Sequence, residues 1–345
     1  MPAISPDAFV LLTGASGFLA AHIAQQLIDR GFRVRGTVRS AEKGEYLTNL
    51  VKSDKWSYVI VEDVEQEGAF DEAVKGVDAV LHTASPFHFR VTDPYTDLIH
   101  PAVRGTEGLL SSALKERKIQ RVVVTSSFAA IVNPHDPVYT FTEEDWNETS
   151  PKMVEEKGKD VDPFHAYRAS KTLAEKAAWE FLEKHKDAPF DITTINPPLI
   201  FGPIIHQCPS ADKLNTSVNN FYQYLIGKKD AESAQTGFGS LVDVRDVARL
   251  HIDSLVTPEA GGQRFLVSNT DGSYQPLLDV FFADASDSLK ASFPNAERGK
   301  PGTPKPKQNV IDAGKAKKVF GWEPIKVEDT IIDMAKSLAE YQKTW

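Results

Sequence analysis

The sequence holds one cysteine, Cys208, among 345 residues. An intrachain disulfide and a thiolate metal cluster are therefore excluded, which fits a reducing compartment. No apolar run approaches the roughly 18 residues that a membrane-spanning helix needs, so no membrane partner is expected. The opening stretch Met1 to Asp7 has no basic region ahead of an apolar core. It does not read as a secretory signal, and the cytoplasm is the default location. A basic excess is missing too: 39 Lys and Arg stand against 48 Asp and Glu, for a net charge of −9. No nucleic-acid backbone is expected as a partner, although local cations can hold one small phosphate group. The nine histidines form no compact HExxH-type pattern, and no metal is expected. Apolar content of 41% and charged content of 25% suit a folded chain of one large or two modest domains.

What is present organises around residues 9–39. Phe9 to Thr13 reads as a first strand, Phe18 to Arg30 as a helix ended by Gly31, and Phe32 to Val38 as a second strand. Between them lies Gly14-Ala-Ser-Gly17-Phe-Leu-Ala20. Strand, glycine turn, helix, strand opens a dinucleotide-binding unit. Gly14 permits the tight turn, Gly17 lets backbone approach a pyrophosphate, and Ala20 allows close helix–strand packing. The helix N-terminus offers free N–H groups to the phosphates. An NAD site usually ends its second strand in Asp or Glu. Here the strand runs into Thr37-Val-Arg39-Ser40, then Lys43. Two cations can face a 2′-phosphate, which favours NADP(H). The alternative is a solvated surface pair.

The alternation continues. Ser40 to Lys55 contains a short helix, Trp56 to Val61 a strand, Glu67 to Lys75 a helix, and Val77 to Thr83 a strand. Asp97 to Arg117 reads as a long helix with Pro101 near its start, and Gln120 to Thr125 as a buried strand. Residues 133–162 read as a surface excursion, with short helix at Glu143–Asn147 or Lys152–Lys157 and an acidic run that is a solvated face. His165 to His185 is a helix and Phe190 to Asn196 a strand. Farther on, helices are expected at Asn215–Gly227, Arg245–Leu255, Leu277–Leu289, Ala313–Phe320 and Val327–Tyr341, with extended segments at Gly239–Val244 and Gln263–Ser268. The pattern predicts an α/β fold: a doubly wound, mostly parallel Rossmann sheet with a smaller mixed C-terminal substrate-binding lobe. The expected division is 1–196 for the NADP(H)-binding domain with its catalytic residues. Residues 197–345 would form mainly the substrate lobe, with part of 239–268 returning to the first domain.

Chemistry is suggested by Ser127 together with Tyr167 and Lys171. The last two stand four residues apart on a predicted helix, hence on one face. Lys171 can lower the Tyr167 pKa by its charge and can hold ribose hydroxyls. Tyr167 can then donate a proton to a reduced carbonyl. Ser127, at a strand end, can donate to the substrate oxygen as charge develops. An isolated match of this kind also fits a packed tyrosine beside a surface cation, and order and context favour catalysis. Ala84-Ser85-Pro86 follows a strand and should approach the cofactor. Phe87 to Phe89 either cover nicotinamide and an apolar substrate or fasten a loop to the core. His100 reads as packed or surface-facing, Cys208 as non-nucleophilic, and Asp243, Arg245 and Asp246 as an interlobe or helix-capping network.

Six stretches carry a family resemblance: Leu12–Ala20, Leu81–Phe87, Arg121–Ser127, Tyr167–Lys171, Lys176–Leu182 and Leu241–Val247. The chain resembles the extended short-chain dehydrogenases/reductases along nearly its whole length. It is nearest to the fungal methylglyoxal/aldehyde and ketone reductases that sit beside plant dihydroflavonol and cinnamoyl-CoA reductases. The resemblance implies an NADPH-dependent reductase of aldehydes and ketones with Ser127, Tyr167 and Lys171 in the roles above. It implies cofactor contacts from Thr13, Gly14, Ser16, Gly17, Phe18 and Leu19, from Arg39 and Lys43, and from Asp63 and Val64 at the adenine. Thr83, Ala84, Ser85, Pro197 and Leu199 would line the rest of the dinucleotide. Phe87, Phe128 and Phe201 would form part of a pocket for a carbonyl with an apolar or aromatic portion. Many relatives carry a further Asn on the helix matching Asp97–Thr106. None is evident here, which leaves the proton route beyond Lys171 open to a backbone carbonyl or a water. The same architecture also serves NAD-dependent nucleotide-sugar epimerases and dehydratases, and a non-catalytic NADP(H)-responsive protein is a third reading. The expected assembly is a monomer or homodimer.

Overall fold

The β-favouring run Phe9–Thr13 becomes strand β1, and the chain then alternates strand and helix as its apolar periods dictate. The computed structural model describes residues 4–5, 7–85, 91–135, 138–304 and 307–345. After β1 come α1 (Phe18–Asp29), β2 (Arg33–Val38), α2 (Ala41–Val51), β3 (Trp56–Ile60), β4 (Ala79–His82), α3 (His100–Lys115) and β5 (Arg121–Thr125). The excursion holds β6 (Thr140–Phe141) and α4 (Thr149–Lys157), and leads to α5 (Pro163–Lys184) and β7 (Asp191–Asn196). The remainder comprises β8 (Leu199–Phe201), α6 (Thr216–Leu225), β9 (Gly237–Asp243), α7 (Val244–Val256), β10 (Arg264–Leu266) and β11 (Thr270–Ser273). It ends with α8 (Tyr274–Asp284), α9 (Asp287–Ala291), β12 (Val310–Ile311), α10 (Gly314–Phe320) and α11 (Val327–Gln342).

Seven strands form one parallel sheet in the order β10-β7-β5-β4-β1-β2-β3. The strand order reverses between β1 and β4, and sheets of this kind bind ligands beyond the carboxyl ends of the strands at such a point. One face is covered by α1 and α7, whose Ile23, Leu27, Val247 and Leu250 pack on Val10 and Leu12. The other is covered by α3 and α5 through Leu109, Leu110, Ala178 and Phe181. A second apolar core gathers Phe221, Phe281, Ile331 and Met334 beside the three-stranded sheet β11-β9-β8. Asp243 caps α7 through the Arg245 N–H, and the Arg245 guanidinium spans Asp243 and Asp333 at 2.8 and 2.7 Å, joining α7 to α11. No described helix is long and apolar enough to cross a membrane.

Two local expectations fail for identifiable reasons. Glu67–Lys75 is a run of turns, not a helix. Gly68 takes φ +72°, and the segment mixes bonds from Asp71 N–H to Gly68 O with bonds from Val74 N–H to Phe70 O. Phe70, Ala73 and Val74 still bury as a helical period would bury them. Of the two places where the excursion could hold a short helix, Lys152–Lys157 is helical, inside α4 that starts at Thr149, and Glu143–Asn147 is not. The single helix expected at 277–289 is two, because the Ser286 hydroxyl accepts from Leu289 N–H and starts α9.

Candidate active site

The turn after β1 is built for a close approach. Gly14 has φ +63°, and a Cβ there would lie 2.9 Å from Ala84 Cα. Its N–H donates to Thr37 Oγ1 at 3.0 Å. Replacement by alanine should therefore cost about 2 kcal/mol, from the left-handed backbone plus the clash with β4's extension. Thermal unfolding of Gly14→Ala without ligand checks this. Gly17 differs: a Cβ there would meet only Gly14 O at 3.4 Å, so the protein itself leaves room at this position. Gly17 caps α1 with no side chain, and no acid sits in the first turn. The free N–H groups and the bare backbone suit a pyrophosphate. Ser16 and Phe18 are half-buried on this rim, and Leu19 is buried.

The floor between β1 and β4 is fixed by Thr13. Its Oγ1 accepts from the N–H groups of Thr83 and Ala84, each at 3.1 Å, and donates to His82 Nδ1 at 2.8 Å. Burial holds His82 down to about 3, so it stays neutral. At the far end of β2, Arg39 is exposed and Lys43 is half-buried in the first turn of α2. The neighbouring Glu42 is occupied by Gln207 Nε2 at 2.6 Å. Asp63 is exposed and accepts from Glu65 N–H at 2.8 Å, while Val64 lies half-buried near Gly105. The residues at these positions fit a dinucleotide that carries a 2′-phosphate.

Ser127 ends the extension of β5. Its Oγ accepts from Ala129 N–H at 3.1 Å and bonds the Tyr167 hydroxyl. Tyr167 and Lys171 project from one face of α5, with Lys171 Nζ 5.9 Å from the Tyr167 ring centre. The lysine is buried and donates to Ser85 Oγ at 2.8 Å. Burial pushes Tyr167 up to about 12, against the Ser127 hydrogen bond, and pushes Lys171 down to about 8. The expected lowering of the tyrosine by the lysine is not seen in this arrangement: burial dominates, only the Ser127 hydrogen bond opposes it, and the lysine is turned toward Ser85.

The lysine pKa also has a stability sign. Between about 8 and its ordinary value the unfolded chain binds more protons than the folded one. Stability from this group therefore rises with pH through that window, and at neutral pH the full penalty applies. Lys171→Met should stabilise the ligand-free protein by about 1–3 kcal/mol at pH 7, an effect that fades above pH ~10. Denaturant unfolding at several pH values checks it.

The substrate side departs further from expectation. Phe87 lies outside the described residues. Phe128 is half-buried beside Ser127 and packs edge-on against Phe141 at 5.2 Å. Phe201 is fully buried in the second core, its ring 5.6 Å from Phe238, so it cannot touch a substrate there. The third residue of β8 points inward, against the aromatic group of Phe238 and Tyr274. Leu199 is half-buried at the start of that strand, and the Pro197 carbonyl accepts from Phe128 N–H at 2.9 Å. Sequence reasoning missed Glu175, Asn196 and Arg264, which form a buried network under Ser127. The available signal was the four-residue step from Lys171 to Glu175.

The chain matches, over residues 10–268, a family described as the NAD dependent epimerase/dehydratase family. It is 36% identical over 344 residues to an NADPH-dependent methylglyoxal reductase of Saccharomyces cerevisiae, covering 96% of this chain and 98% of that protein. It is 44% identical over 269 residues to a ketoreductase of Aspergillus niger, covering 74% of this chain and 76% of the other. The crystal structure of the yeast methylglyoxal/isovaleraldehyde reductase complexed with NADPH is similar at a TM-score of 0.86 and 34% identity, over 98% of this chain and 100% of that one.

Proposed function

The chain belongs to the NAD dependent epimerase/dehydratase family, and we propose that it uses NADPH to reduce a small aldehyde or ketone to the alcohol. The observation that carries this reading is the hydrogen-bonded Ser127–Tyr167 pair with Lys171 one helical turn on. The three gather at the carboxyl end of the sheet, the end at which the Gly14–Gly17 turn follows β1. NADPH, when bound, supplies the hydride. The carbonyl oxygen accepts from the Ser127 and Tyr167 hydroxyls, which stabilise the negative charge that develops there. Tyr167, held protonated by burial, gives its proton to that oxygen. The Lys171 ammonium stabilises the phenolate left behind and would hold ribose hydroxyls of the bound cofactor. Arg39 and Lys43 would hold a 2′-phosphate, which argues for NADPH over NADH. Half-buried Phe128 beside Ser127 supports a substrate with an apolar portion.

An anaerobic assay of NADPH loss against methylglyoxal, aliphatic aldehydes and aryl ketones tests the reading. Turnover of at least one class with NADPH in preference to NADH is expected. Tightly retained NAD with turnover of a nucleotide sugar would overturn it in favour of epimerase or dehydratase chemistry. Cofactor binding without turnover of any carbonyl would overturn it in favour of a binding role.

A further inference from the structure

The face of α5 that carries Tyr167 and Lys171 continues one turn farther to Glu175. The Glu175 side chain is fully enclosed and pairs with Arg264 Nε at 2.7 Å. It also accepts from Asn196 Nδ2 at 2.7 Å and from Ser126 Oγ, while the Thr194 hydroxyl lies 3.2 Å from Glu175 and 2.9 Å from Asn196 Oδ1, to which it can give its one proton. One cation and the neutral donors around it, Trp179 Nε1 at 3.4 Å included, give the buried carboxylate its partners. These donors bracket Ser127. Ser126 precedes it, and Asn196 Nδ2 also donates to the Ser127 carbonyl at 3.3 Å. On its other side Glu175 shares a chamber of about 10 Å³ with Lys171, Ser85, Thr106, Thr125 and Ser126. That is close to the space one water requires, and the walls are polar enough to hold it. Ser85 takes one of the three Lys171 N–H groups, and the chamber faces another.

We propose that Glu175 is a positioning residue: through Ser126 and Asn196 it fixes the strand end that presents Ser127, and across the chamber its charge keeps Lys171 an ammonium. The kinetic part of this inference rests on the proposed reduction, and the Lys171 part does not. Few other groups compete at Lys171. His82 of β4 is neutral, as is His251 of α7, which burial holds down to about 4 and which meets the site through Thr125. From α5 come Tyr167 and Glu175, and from β10 comes Arg264. Within the neutral range the charge balance at Lys171 is therefore that of Glu175 against Arg264.

Glu175→Gln keeps the volume, turns an amide N–H₂ toward other donors and leaves Arg264 unbalanced. The added net positive charge disfavours the ammonium of Lys171 and favours the phenolate of Tyr167, so both effects move titration to lower pH. Expected are a fall in kcat of about 10- to 100-fold, a KM for NADPH within about twofold of wild type, and a high-pH limb lowered by about one unit. In protein labelled at lysine ¹³Cε, the Lys171 resonance, identified by its loss in Lys171→Met, should titrate lower by the same amount. The pair Glu175→Gln with Arg264→Gln removes both charges and should return that midpoint to wild type while kcat stays low. Ser126→Ala leaves the ion pair intact. It serves if Glu175→Gln fails to fold, and should lower kcat several-fold with an unmoved pH limb. An unchanged Lys171 midpoint in Glu175→Gln, or unchanged kcat in Ser126→Ala, overturns the proposal. If the wild-type protein reduces no carbonyl, the reductase reading falls, and the lysine titration still decides whether Glu175 holds Lys171 charged.

Discussion

Tyr167→Phe is expected to lower kcat/KM for carbonyl reduction by about 10³-fold while leaving NADPH affinity within about twofold. The ring stays, so packing on α5 is kept, and only the hydroxyl that bonds Ser127 is lost. Ser127 retains its bond from Ala129 N–H and keeps its place. The loss should therefore fall on the chemical step and not on binding. Stopped-flow turnover together with fluorescence titration of NADPH separates the two. A variant that reduces the same ketone at the wild-type rate would remove Tyr167 from the proton-transfer role. A variant that instead loses NADPH affinity would make the hydroxyl a cofactor contact.

The second large effect concerns the choice of nicotinamide form. Arg39→Ala combined with Lys43→Ala should weaken NADPH binding by about 10²–10³-fold and leave NADH binding nearly unchanged. Each hydrogen bond from a cation to a phosphate is worth about 1.5–3 kcal/mol. Because Glu42, the acid beside Lys43, is taken by Gln207, removing the cations should cost little folding stability. The preference should also shrink with added salt in the wild-type protein, since Arg39 is exposed. Calorimetric titration with both cofactors checks it. An equal loss for NADPH and NADH would mean that the pair serves the adenosine and not its phosphate.

The parts legible in the sequence are those whose cause is local. Phe9–Thr13, the glycine turn and α1 follow from neighbouring residues, so strand, turn and helix start fall where the sequence puts them. Tyr167 and Lys171 were legible because a four-residue step on a helix has one geometric meaning. What failed depends on partners distant in sequence. The period of Phe70, Ala73 and Val74 is helical, yet Asp71 is drawn to Ser112 and Lys115 of α3, and Gly68 bends the chain first. Phe201 was placed near the substrate, but the rings of Phe238 and Tyr274, 37 and 73 residues later, bury it. The pKa of Tyr167 was expected to fall because the charge of Lys171 is visible in a sequence, and the desolvation that raises it is not. Glu175 goes unread for the same reason: apart from Trp179 on its own helix, its partners come from the residue after β5, from β7 and from β10.

The guanidinium of Arg121 ties an early strand to residues that are synthesised much later. It is almost wholly enclosed at the start of β5 and chelates Asp191 at 2.6 and 2.9 Å. Its remaining N–H groups go to the carbonyls of Ser254, Thr257 and Pro258. Asp191, which pairs this charge, and the later carbonyls, with α7 and β10, thus all emerge from the ribosome long after the glycine turn. Between the release of residue 191 and that of residue 254 the cation can make two of its five bonds, and until about residue 266 one sheet edge lacks β10. A parallel sheet completed so late leaves an edge open in the incomplete chain, the condition under which such sheets are most exposed to aggregation.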